Sequence, residues 1–173
     1  MSRKNQVWIS AIATCFMIIV MQYQGKPLKE KGYHIVAFEL SKTPQRAQQI
    51  IAAWDTEGVG VARINTFIDF FFILAYASFG YFASLALTEK HDSAFIKKVG
   101  KVMARGMVIA ALFDVVENGA MLQTLYGNMS DAFTQSAYWF ALLKFAIIGL
   151  VLVMSILLLL KKEFGKLVAN KTN

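Results

Sequence analysis

Four ionisable residues stand inside otherwise apolar stretches. Asp69 interrupts Phe67-Ile68-Asp69-Phe70-Phe71-Phe72, Asp114 and Glu117 lie in Asp114-Val115-Val116-Glu117-Asn118, and Lys144 follows Leu142-Leu143. A charge at the centre of a membrane helix has an apparent cost of about 2.5–3.5 kcal/mol, so such residues persist mainly where they face one another. Carboxyl groups beside a lysine, shielded from water, suit proton transfer, cation coordination or recognition of a polar headgroup. They also suit a purely structural role, as a satisfied network that fixes helix register.

Spacing sorts these residues into faces. Asp114, Glu117 and Asn118 fall at i, i+3 and i+4, on one side of a helix. Asn65, Asp69, Phe72 and Tyr76 form a second face, and Ser10 with Thr14 a weaker third. At about 1.5 Å of rise per residue, Lys144 lies roughly 10 Å inside its segment and Glu117 about 13 Å inside its own. The two segments are joined by a short turn, which predicts a Lys144–Glu117 ion pair. Counted the same way, Asp114 is about 18 Å deep, Tyr76 about 15 Å and Asp69 about 5 Å. Tyr76 is thus expected level with Glu117. Three carboxylates outnumber one lysine, and Arg63 is placed to offset one of them at the mouth. Asp114, Glu117, Asn118, Lys144, Asp69, Tyr76 and Asn65 are therefore the expected binding residues of a central polar pocket.

Other chemistry is sparse. His34 and His91 have no partners at metal-ligand spacing, and the lone Cys15 sits in an apolar run. No haem pair, phosphate loop, nucleophile elbow or dinucleotide fingerprint occurs, so neither metal nor cofactor is expected.

The elements that position these groups follow from composition. The chain has 173 residues, 57% hydrophobic and only 17% charged, where a soluble domain has about 25% charge. Mean hydropathy is +0.49. Disordered, collagen-like and disulfide-scaffold chains are excluded. The predicted architecture is a single all-α domain over 1–173, an integral membrane four-helix bundle with spans at about 7–23, 64–87, 104–126 and 136–160. Continuous rather than alternating apolar runs favour helices over barrel strands. No small-x-small cleavage site follows the first run, so it reads as a span rather than a signal peptide.

The long first loop should carry an amphipathic helix at about 44–56. Thr43-Pro44 is a start signal, and Ala47, Ile50, Ile51 and Trp54 make one apolar stripe. Gly58 is expected to end it. This helix either lies on the outer membrane surface or packs on the ends of the spans.

The net charge of +7 arises largely from three basic clusters: Arg3 and Lys4; Lys90, Lys97, Lys98, Lys101 and Arg105; and Lys161, Lys162, Lys166 and Lys171. Each borders an apolar run and none is interleaved with aromatics, so they read as topology signals and lipid headgroup contacts, not a nucleic-acid surface. They put both termini in the cytoplasm of a multi-pass protein of the inner (plasma) membrane. Gly80 and Ser84 have the small-xxx-small spacing of a helix-association face, which leaves room for a homodimer or a membrane-complex partner.

Phe38-Glu39-Leu40, Trp54, the Asp69-Phe70 segment ending at Tyr76, and Asp114-x-x-Glu117-Asn118 together resemble a group of uncharacterised small bacterial four-helix membrane proteins, over roughly residues 35–145. That resemblance implies a fold and no activity. The layout also looks like that of the emopamil-binding and sigma-2 receptor group, which implies a membrane pocket for sterol-like amines. The spans here carry no His, the residue that the isomerases of that group use.

The expected function is binding of a membrane lipid or lipophilic small molecule at the acidic/Lys144 pocket. The alternatives are a proton- or cation-linked transport subunit, an enzyme using Asp114 and Glu117 as acid and base, and a structural subunit of a membrane complex.

Overall fold

The computed structural model describes the backbone of residues 1–171 and the side chains of residues 1–161. Lys162, Lys166 and Lys171 of the third basic cluster therefore have side chains outside the described residues. The described chain is all-helical: α1 (Arg3–Gln24), α2 (Lys26–Glu30), α3 (Ile35–Glu39), α4 (Pro44–Glu89), α5 (Ala94–Leu125) and α6 (Asp131–Lys171).

The four long helices pack in chain order, α1 on α4, α4 on α5 and α5 on α6, with a smaller α4–α6 contact closing the group. Arg3 pairs with Glu89 at 3.4 Å, and Leu158 of α6 packs with Ile96 of α5. The start of α1 and the far end of α6 therefore share one end of the bundle. The short helices α2 and α3 occupy the other.

The stripe seen in the sequence caps that second end. Ala47, Ile50 and Trp54 are fully buried with Leu28 of α2, Phe38 of α3, and Met121 and Leu125 of α5. Trp54 completes its hydrogen bonding by donating Nε1 to Tyr33 O at 2.9 Å. Thr43 caps the helix start through Arg46 N, with Pro44 in the first turn.

Gly58 does not end this helix. The break comes at Asp55, whose backbone (φ 55°, ψ −171°) lies in a region that is essentially reserved for glycine. Asp55 Oδ1 then accepts from Glu57 N at 2.9 Å and Gly58 N at 3.1 Å, capping the next helical stretch. Lys31 bridges Asp55 at 2.5 Å and Glu57 at 3.5 Å. The hydrogen bond to Asp55 raises the Lys31 ammonium above its ordinary value, and the same bond holds the Asp55 carboxyl below its own. Gly58 is needed for space instead, because a Cβ there would come within 2.8 Å of Trp54 Cβ. The sequence-expected helix at 44–56 and span at 64–87 are thus the two arms of one kinked α4.

Gly80 and Ser84 face into the molecule. A Cβ on Gly80 would collide with Met107 of α5, and Ser84 is buried with its hydroxyl donating to Gly80 O. This small-residue spacing serves α4–α5 packing within the chain.

Among the described residues, three helices are long and apolar enough to cross a membrane: Arg3–Gln24, Pro44–Glu89 and Asp131–Lys161. Their large side chains mostly point outward. Ile12 and Phe16 of α1, Phe71 and Leu74 of α4, and Leu150 of α6 are each more than 60% exposed.

Candidate functional site

Lys144 is the centre of a buried ionic cluster. Its Nζ donates to Asp114 Oδ1 at 2.7 Å and to Glu117 Oε1 at 2.9 Å, and lies 2.8 Å from Glu117 Oε2. A third carboxylate, Glu39 at the end of α3, approaches to 3.9 Å. Glu117 has no exposed surface, and Asp114, Lys144 and Glu39 are buried with it. Aliphatic neighbours cannot solvate these groups, so each depends on the others.

The surrounding residues extend the cluster. Tyr76 Oη donates to Asp114 Oδ2 at 2.8 Å, tying α4 to α5. Asn118 Nδ2 donates to Asp69 Oδ2 at 2.7 Å, and Asp69 is only half-buried. Asp69 and Asn118 therefore form a second polar pair, with Asn118 one helical turn along α5 from Asp114.

The sequence reading placed Lys144 opposite Glu117, and the structure has that pair. It adds Asp114 as an equal partner. Tyr76 meets Asp114 rather than Glu117, about 3 Å deeper than the depth count placed it. Asn65 stands apart from the cluster. Its side chain donates to Gln24 Oε1 at 2.5 Å and reaches Met21 O at 3.4 Å, so it joins α4 to α1. Arg63 does not offset a carboxylate. Its Nε and Nη2 donate to Leu125 O at 3.1 and 2.6 Å, and its guanidinium lies over the Tyr126 ring. The free carbonyls at the end of α5 draw the cation there. Ser10 and Thr14 are buried but bond to carbonyls of their own helix.

Glu39 is the residue the sequence reading did not select. Its signal was a carboxylate inside the short apolar run Ile35-Val36-Ala37-Phe38-Glu39-Leu40. Burial pushes its carboxyl above the usual range against the pull of Lys144, and Asp114 adds to the rise. Glu39 Oε2 is buried without a hydrogen-bond donor, with the Lys144 ammonium 3.9 Å away. Among the described residues no group of His, Cys, Asp and Glu is arranged to hold a metal ion. The carboxylates converge on an ammonium instead.

Two cavities lie away from the cluster. One of about 480 Å³ sits between the Asp55 kink, Arg63 and the end of α5. The other, about 500 Å³, is an apolar groove between α5 and α6.

The fold and cluster define an all-helical chain with three helices of spanning length around a buried lysine–carboxylate centre. Compared with protein-family models, curated proteins and solved structures, the chain matches none of them.

Proposed function

We propose that this is a four-span membrane protein whose Lys144 cluster takes up and releases a proton, as a component of proton-linked transport. The carrying observation is one ammonium within 4 Å of three buried carboxylates from α3 and α5. Fully ionised, that centre holds two uncompensated negative charges in a low-dielectric interior, where a proton is the smallest compensating cation. Glu39 Oε2, an acceptor buried without a hydrogen-bond donor, supports this reading. The half-buried Asp69 and its Asn118 partner give the centre a route toward the end that carries α2 and α3.

The membrane setting rests on the three spanning helices and on α5 as the fourth. In α5 Asp114, Glu117 and Asn118 turn inward, while Val108, Leu112 and Val115 are exposed beside those of the other helices. Basic residues gathered at the end that holds Arg3 and Lys161 support cytoplasmic termini and a plasma-membrane location.

Reconstituted into liposomes with a trapped pH indicator, the wild-type chain should dissipate an imposed pH gradient faster than empty vesicles. Glu117→Gln should return the rate to that of the vesicles. Equal rates for wild type and empty vesicles would remove the proposal.

A second reading, binding of a lipophilic molecule, is favoured by a different observation: the apolar groove between α5 and α6.

A further inference from the structure

The α5–α6 groove has a defined length, floor and charged end. Phe95, Lys98, Val102 and Gly106 contribute from α5, and Leu150 and Met154 from α6. Gly106 forms part of the floor, where a Cβ would rest in ordinary van der Waals contact with Ile147 of α6. From Phe95 to Gly106 the groove runs about 16 Å along the helix.

Its end is as specific as its length. Lys98 lines the groove itself, and Lys101 and Arg105 continue from it at i+3 and i+7 on one exposed stripe. Among the described residues none of these cations pairs with a carboxylate. Elsewhere the chain does spend acids on its cations, as at Arg3–Glu89 and Lys31–Asp55. An apolar trough with uncompensated cations along one rim, Lys98 and Lys101 nearest its Phe95 end, is complementary to a lipid with a negative head and a hydrocarbon tail.

We propose that the α5–α6 groove is a binding site for one anionic phospholipid of the leaflet facing the chain termini, with an acyl chain along Val102 and Gly106 and the phosphate head at Lys98 and Lys101. This inference rests on the membrane-spanning part of the reading above and is independent of proton exchange at Lys144.

The test uses the full chain in neutral detergent micelles, titrated with dioleoyl phosphatidylglycerol or dioleoyl phosphatidylcholine, bound lipid being counted by native mass spectrometry. Wild type should bind the phosphatidylglycerol at least about tenfold more tightly, since each basic residue at an anionic head is worth about a fivefold change in affinity. The exposed double variant K98Q/K101Q should bind the two lipids equally. Gly106→Leu, which fills the floor, should weaken both. Glycerol phosphate, a head without a chain, should leave wild-type binding unchanged. Equal affinity of wild type for the two lipids overturns the proposal, as does undiminished selectivity in K98Q/K101Q. Neither result touches the liposome assay of Lys144, so the two readings fail separately.

Discussion

Lys144 carries one charge and Asp114, Glu117 and Glu39 carry three between them, so removing different members has opposite consequences. Taking one partner from a buried ion pair strands the other and costs about 3–5 kcal/mol, whereas replacing both with apolar or neutral groups is far milder. Lys144→Met, which strands three buried acids, should lower the thermal stability of the purified protein sharply, whereas Glu117→Gln, which leaves Lys144 bonded to Asp114, should cost much less. Adding Glu117→Gln to Lys144→Met should regain part of the loss, because one of the three stranded carboxylates is gone. Additive losses would show that the two side chains do not act as a pair. The Lys144–Glu117 pair was legible in the sequence because a short turn between two helices lets depth be counted from a common end. Asp114 was expected in the same pocket, yet its direct bond to Lys144 depends on how far a lysine stem bends, which helix counting does not reach. Glu39 was illegible as a site residue for another reason. It arrives through a loop whose path is set by Trp54, Leu28 and Phe38 packing together, a tertiary effect without periodicity.

At the scale of the element, the kink in α4 joins the two regions the sequence separated. The Thr43-Pro44 start and the Ala47–Trp54 stripe were plain, and the apolar run from Thr66 was plain. Their continuity was hidden, since Asp55-Thr56-Glu57-Gly58 reads as a stop. Asp55 holds a backbone conformation suited to glycine and repays part of that strain by capping and by its bridge to Lys31. Asp55→Gly loses the cap and bridge but relieves the strain. Asp55→Ala loses both and keeps it. The glycine variant should therefore melt above the alanine variant, by about 1 kcal/mol. The reverse order would mean that the positive φ at this position is not maintained in the folded protein.

For the whole molecule, the membrane reading explains why so many large apolar side chains face outward while the ionisable ones face inward. Composition made the architecture legible: an all-helical chain with long apolar runs. The span expected at 104–126 falls in α5, where Asp114, Glu117 and the basic residues at its start lower the apolar character below that of the other three long helices. Those acids become intelligible only once α6 supplies Lys144. The proposed four-span topology has a direct test. In a Cys15→Ala background, an impermeant maleimide added to whole cells should label Thr43→Cys and leave Ser2→Cys unlabelled until the membrane is opened. Labelling of both positions in intact cells would refute the four-span topology.

The central claim is that the buried cluster holds an exchangeable proton, and infrared spectroscopy of the reconstituted protein reads it most directly. The protonated carboxyl band in a pH titration should contain a component that disappears at alkaline pH, returns on acidification, and is reduced in Glu39→Gln and Glu117→Gln. A spectrum in which those substitutions leave every protonated carboxyl component unchanged at all pH values would contradict the account.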